Sequence, residues 1–204
     1  RKMHLARDNA SAFTLDKMQA MVERDERQIQ SLIRLIEDML DVSRIRTGKL
    51  SIRPARIDLA QLVRNLVDNF APQVAAAESS MQLQAESPVE GCWDEFRIEQ
   101  VITNLLTNAL RYGAKSPVQV RVYTEHGEAR VEVRDHGIGI SEENQKRIFQ
   151  QFERVSANHS AAGLGLGLFI SEQIVAAHGG TIEVESQIGE GALFRVCLPL
   201  EVAE

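Results

Sequence analysis

Residues 163–168 read "GLGLGL" and lead straight into "FISEQIVAAHGG" at 169–180. Glycine costs roughly 0.5–1 kcal/mol relative to alanine inside a helix or strand. Three glycines at alternate positions therefore mark a place where backbone, not side chain, is wanted. Because the residues that follow have helical spacing, the run places side-chain-free backbone at a helix start. Free N–H groups and the helix dipole attract phosphate there. The run has neither the G-x-G-x-x-G spacing of a dinucleotide site nor the GK[ST] ending of a P-loop. The alternating leucines would face the sheet, and a plain mobile loop reads the same way.

Outward from that run the pattern alternates between two periods. "TIEVES" (181–186) and "ALFRVCLPL" (192–200) read as paired strands, and "VQVRVYTEHGEARVEVRD" (118–135) as a hairpin turning at His126–Gly127. "MQLQA" (81–85) and "VEGCW" (89–93) are further strands. Helical periodicity marks "LAQLVRNLVDNFAPQVAAA" (59–77, capped by Asp58), "EFRIEQVITNLLTNALRY" (95–112) and "SEENQKRIFQQF" (141–152). The hairpins predict an α+β fold, a two-layer sandwich with a mixed, largely antiparallel sheet covered on one face by helices.

The first fifty residues are different. From Thr14 no proline or glycine appears until Gly48, and Leu15, Val22, Ile29 and Ile36 recur every seven residues. Met18, Leu32 and Met39 hold the companion positions, with Asp25 the single break. This predicts a long coiled-coil-like helix that needs a partner helix or a second chain to cover its stripe. "RKMHLARDNASAF" (1–13) reads as the last turn of an earlier helix and a loop, so the chain is expected to begin within a helical hairpin. Pro54 and the short "LSI" run put the boundary between domains 1–50 and 51–204.

Composition narrows the classes. In 204 residues, 29 acidic side chains exceed 23 basic ones, for a net charge of −6, which is not the basic footprint of a nucleic-acid binder. No apolar run reaches the ~20 residues of a membrane span, so no membrane contact is expected of these residues, although a parent protein could be anchored elsewhere. Cys92 and Cys197 stand far apart without metal-ligand spacing. They read as two free, buried or half-buried thiols in a reducing, cytoplasmic compartment.

Several residues carry candidate chemistry. Asp135 ends a strand and is followed by "HGIG", so its carboxylate can accept from an exocyclic amine while Gly137 and Gly139 let a flat ring approach. A strand ending in an Asp-Gly turn looks alike. Asn104 and Asn108 lie four apart on one helix face, and their neutral oxygens suit Mg²⁺ shared with phosphate. Arg111, one turn on, could meet phosphate. Equally, Asn104 could cap a loop and Arg111 be a solvated helix end.

In order, the chain reads "NLLTNALRYG" (104–113), "DHGIGI" (135–140), "IFQQFERV" (148–155), "GLGLGLFI" (163–170) and "GEGALF" (189–194). These resemble the N, G1, F, G2 and G3 boxes of bacterial sensor histidine kinases, in the gyrase, chaperone, kinase and mismatch-repair superfamily. The resemblance covers about residues 50–200. "LIEDMLDVSRIRTGKL" (35–50) resembles the second helix of their dimerisation and phosphotransfer hairpin. The resemblance implies a Bergerat-type ATP-binding fold, the cofactors ATP and Mg²⁺, a homodimer through the hairpin, and a response-regulator receiver domain as partner.

Carried over, Asp135 would bind the adenine amine, with Gly137 and Gly139 leaving room for the base. Asn108 would coordinate Mg²⁺ with Asn104 alongside, at the place where ATP-hydrolysing relatives carry a glutamate base. Arg111 stands for the family's usual lysine and makes a fork of a point charge. Tyr112 would pack near the nucleotide, and Gly163, Leu164, Gly165, Leu166 and Gly167 would line its phosphates. Phe149 and Phe152 would anchor a lid at 155–162, and Arg154 would reach the γ-phosphate on closure. Ala192 replaces the threonine common in the last box.

The acceptor motif HELRTP is absent. His126, His136, His159 and His178 sit in a turn, the adenine box, the lid and a helix end, and His4 lacks the acidic neighbour and proline. The acceptor is therefore expected upstream. Two other classes compete: a catalytically silent nucleotide-binding and dimerisation module, which weak ATP binding would favour, and an ATP-hydrolysing machine, which appreciable turnover would favour.

Overall fold

A computed structural model describes residues 15–85, 88–113, 115–153 and 164–201. The chain divides into two compact units, residues 1–40 and 41–204. In the first unit the described residues all belong to helix α1 (Leu15–Arg46), whose last turns, from Asp41, count with the second. Met18, Val22, Ile29, Leu32, Ile36 and Met39 are each 51–58% exposed, so the heptad stripe is uncovered in the single chain. The helix stops at Gly48, whose φ of +64° suits a residue without Cβ, with the Lys49 N–H closing onto the Arg44 carbonyl at 2.8 Å.

The second unit opens with β1 (Ala55–Asp58), which pairs antiparallel with β3 (Glu90–Trp93). The sequence reading took no strand at 55–58, since four residues with alternating charge carry almost no strand signal. Asp58 caps α2 (Leu59–Asn69) as expected, accepting the Ala60 N–H at 3.0 Å and also the Val89 N–H at 3.1 Å. The helix expected over 59–77 is in fact two, α2 and α3 (Ala71–Ala76), with buried Phe70 at the joint. Pro72 falls in the first turn of α3, where a missing N–H costs nothing.

The main sheet has the order β2-β4-β5-β7-β6, from Met81–Ala85, Val118–Glu125, Glu128–Arg134, Gly191–Pro199 and Thr181–Gln187. β2 runs parallel to β4 and the other pairs are antiparallel, the mixed sheet the sequence predicts. One face, with Val120, Val131, Phe194 and Val196, is buried under α2, α4 (Glu95–Tyr112) and α6 (Gly167–Ala177). The opposite face carries an ion-pair ladder in which buried Glu132 receives Arg195 at 2.9 Å and Arg121 at 3.2 Å. Cys92 and Cys197 are free, half-buried and buried respectively.

The helix expected at 141–152 is shorter. Only α5 (Glu142–Gln145) is regular, and turns follow. Its apolar residues crowd into its second half, too few for a stripe, and Phe152 at φ +65° cannot extend a helix.

Candidate functional site

The site gathers at one end of the sheet, where β5, α4 and α6 bring together three of the sequence motifs. Asp135 lies just past the end of β5 and is buried. Its N–H donates to the Ala192 carbonyl at 2.9 Å, and its Oδ1 accepts the Gly137 N–H at 2.9 Å. Burial pushes the carboxyl above the usual aspartate range, against the opposing pull of the Gly137 and Ala192 backbone and of His136 and Arg134.

The glycines after it are required by close approach. A Cβ on Gly137 would run into the Tyr112 carbonyl, and one on Gly139, at φ +69°, into the Gln187 carbonyl. The Ile138 N–H donates to that same Tyr112 carbonyl at 3.3 Å, and the Gly189 N–H to the Ile138 carbonyl at 2.9 Å. The loop 135–140 is thus a strip of bare backbone beside a carboxylate, pressed against the C-terminal end of α4.

Helix α4 starts at Asp94, whose Oδ1 accepts the Arg97 N–H at 3.1 Å, and runs without interruption to Tyr112. Asn104 and Asn108 are both half-buried, one turn apart. Asn104 Nδ2 donates to Ser171 Oγ on α6 at 3.0 Å, and its Oδ1 faces Gly167, where a Cβ would collide with it. Asn108 makes no side-chain hydrogen bond to another described residue, which leaves its amide open. Arg111 is exposed and ion-pairs with none of the described residues, and Tyr112 is half-buried behind the 135–140 loop. No cluster of three His, Cys, Asp or Glu side chains among the described residues could hold a metal ion. A divalent cation would accordingly meet neutral asparagine oxygens and whatever oxygens a ligand brings.

Helix α6 begins at Gly167, and Leu166 at its cap provides no side-chain hydrogen bond, so the first N–H groups stay unclaimed by a cap. Leu166 is buried while Leu164 is half-buried against the core, so the glycine run is anchored by its leucines as the sequence suggests. Gly165 adopts φ +71°, and its carbonyl accepts the Phe152 N–H at 3.1 Å. Phe149 packs on the core, whereas Phe152 is 60% exposed. The lid that both aromatics are expected to anchor lies outside the described residues. Arg154, Gly163, His4, His159 and the segment 155–162 lie outside the described residues.

The structure brings Asp135, Gly137, Gly139 and Tyr112 together directly, and sets Asn104 against Gly167. Sequence reasoning missed Ser171, Gln145 and Ser186, all of which hold this site. Two of them had a signal. Ser171 lies on the apolar face of α6 with Ile174, Val175 and His178, and is buried. Ser186 takes the inward turn of β6 after Ile182 and Val184. Polar groups at inward positions need partners, and here the partners are the site.

Residues 93–202 match the family described as histidine kinase-, DNA gyrase B- and HSP90-like ATPases. The circadian input-output histidine kinase CikA of Synechococcus elongatus is 33% identical over 178 residues, which span 83% of this chain and 23% of that protein. The alginate biosynthesis sensor protein KinB of Pseudomonas aeruginosa is 34% identical over 182 residues, 88% of this chain and 30% of that protein. The chain therefore spans under a third of these relatives' lengths. Among solved structures, full-length ShkA in complex with AMPPNP superposes with a TM-score of 0.78 at 26% identity, covering 92% of this chain and 40% of ShkA. The Acinetobacter baumannii histidine kinase AdeS superposes at 0.73 and 24% identity, covering 89% and 84%, and shares the fold.

Proposed function

Because the chain belongs to the family of histidine kinase-, DNA gyrase B- and HSP90-like ATPases, we propose that it is the ATP-binding core of a two-component sensor histidine kinase. In this reading it binds ATP with Mg²⁺ and passes the γ-phosphoryl group to a histidine upstream of this chain, for relay to an aspartate of a response-regulator receiver domain. Residues 1–50 are then part of the dimerisation and phosphotransfer hairpin, and 51–204 the catalytic domain. The observation that carries the proposal is the buried Asp135 carboxylate beside backbone kept bare at Gly137 and Gly139. ShkA, at 26% identity, is solved with an ATP analogue, which supports the same ligand here.

Bound Mg²⁺–ATP supplies the transferable phosphoryl group and offsets the charge that develops on it. The chain's part is positioning. Asp135 accepts from the exocyclic amine, and Gly137 and Gly139 form the floor beneath the base, with Tyr112 behind it. Asn108 offers a neutral oxygen to the metal, with Asn104 beside it, held in orientation by Ser171. Arg111 presents a guanidinium fork to phosphate, and the uncapped start of α6 at Gly165, Leu166 and Gly167 adds backbone N–H groups. Gly163, Leu164 and Arg154 complete that wall in the resemblance. The Asn104 amide cannot take a proton from water, so the site is suited to phosphoryl transfer rather than hydrolysis.

The test is incubation of γ-labelled ATP and Mg²⁺ with this chain, alone and mixed with an upstream-extended form of the protein. Acid-labile, alkali-stable label on the extended form alone is expected. Label on this chain that disappears in His4→Ala would relocate the acceptor. Tight binding with no label on either would mean a silent binding module, and appreciable steady-state hydrolysis an ATPase.

A further inference from the structure

The loop 135–140 that presents Asp135 is held by side chains that no motif includes. Ser186 Oγ, on β6, accepts the Ile140 N–H at 2.8 Å and donates to the Gly191 carbonyl at 2.6 Å. Gln145 Nε2, on α5, donates to the Ile140 carbonyl at 3.0 Å and to the Ser186 carbonyl at 2.8 Å. Ile140 marks the far end of the loop. Gly191 stands at the near end: it adopts φ +84°, and a Cβ there would run into the Asp135 carbonyl and the His136 backbone. One hydroxyl therefore ties the two ends of the loop together, and one amide closes both remaining carbonyls at its far end.

We infer that Ser186 and Gln145 are positioning residues for nucleotide recognition, setting the span of the 135–140 loop and so the place of the Asp135 carboxylate relative to its glycine floor. Neither touches the ligand; both act through Asp135. The inference rests on the reading of Asp135 as the adenine-amine acceptor. Removing the Ser186 hydroxyl leaves the Ile140 N–H and the Gly191 carbonyl without their partner. The loop then samples wider positions, and the strongest cost falls on the contact that depends most on geometry, the amine–carboxylate hydrogen bond. Contacts to phosphate, made from α4 and α6, are unaffected.

The experiment measures calorimetric affinity of the whole chain, with Mg²⁺, for ATP and for purine riboside triphosphate, which lacks the exocyclic amine. The variants are Asp135→Asn, Ser186→Ala, Ser186→Thr and Gln145→Met, with unliganded melting temperatures recorded for each. Ser186→Ala and Gln145→Met are expected to weaken ATP by roughly three- to tenfold, the worth of one hydrogen bond. Their affinity for the amine-free nucleotide should change by less than about twofold, and Ser186→Thr, which keeps the hydroxyl, should bind ATP like the parent chain. If Asp135→Asn weakens ATP but Ser186→Ala and Gln145→Met do not, or if they weaken both nucleotides equally, the positioning role is overturned and the two residues are merely structural. If Asp135→Asn itself leaves ATP binding unchanged, the amine-acceptor reading has failed first.

Discussion

Asp135 combines two demands that oppose each other. To accept from an amine it should be ionised, yet its burial favours the neutral acid, and the Gly137 N–H and the Ala192 backbone only partly offset this. With the folded-state pKa raised, the folded chain keeps a proton that the unfolded chain has already lost. The stabilisation from the protonated form is then complete below the ordinary aspartate value of about 3.9 and is lost as pH rises through the folded value. Ligand affinity runs the other way: it should fall as pH drops through the folded value, at a higher pH than an ordinary aspartate would give. Titrating ATP affinity against pH in parent and Asp135→Asn chains checks this. The acid limb should be present in the parent and absent from the variant, and an identical profile in both would remove Asp135 from the contact. At this scale the sequence was informative wherever a residue type is chemically unusual for its place. A carboxylate followed by alternating glycines announced itself, and Ser186 gave itself away by its inward place on β6, but Gln145 is an ordinary residue whose importance lies in which backbone atoms it reaches.

The elements that hold the site were legible in proportion to their length and caps. Helix α4 came through intact from Glu95 to Tyr112 because Asp94 caps it and its apolar face never breaks. The region 59–77 was read as one helix because Phe70 and Pro72 fit the apolar pattern and hide the joint between α2 and α3. The first turn of α4 also carries a contact that no local pattern shows. Arg97 Nη1 meets Asp41 Oδ2 at 2.8 Å and Gln100 Oε1 at 2.8 Å, and Gln100 Nε2 returns to the same Asp41 oxygen at 2.8 Å, with Asp41 and Arg97 both buried. Those partners are 56 and 59 residues apart, too far for any spacing rule. At the other end of the turn, the Asp94 N–H donates to Nε2 of buried His178 at 3.0 Å, tying the end of α6 to the start of α4. Removing one member of a buried pair strands a charge and costs about 3–5 kcal/mol, whereas replacing both with apolar residues of similar size is often neutral. Asp41→Ala should therefore lower the urea midpoint sharply, and Asp41→Leu with Arg97→Met should recover most of the loss. Equal loss in the single and double variants would mean that packing, not the ion pair, dominates there.

At the scale of the whole molecule, the heptad stripe and the helix-covered sheet were visible in the sequence because both rest on periodicity sustained over many residues. What periodicity cannot say is what covers an apolar face. In the first unit Val22, Ile29 and Ile36 are each more than half exposed, along with Met18, Leu32 and Met39. A 32-residue helix with such a stripe is poorly stable alone in water. A second copy supplies the same stripe in return, and a 3.5-residue repeat is the spacing that lets two helices keep facing one another. A dimer through α1 is thus the proposed assembly. Ile29→Glu with Ile36→Glu places two carboxylates in the middle of that seam, where desolvating them would cost several kcal/mol. Light scattering on the parent chain should give the mass of two chains and on the double variant the mass of one. ATP affinity should be unchanged in the variant, because the residues proposed to bind nucleotide all lie in the second unit. A parent chain that is monomeric at tens of micromolar would transfer the stripe to a different partner, and a variant that loses ATP binding as well would show that the two units are energetically inseparable.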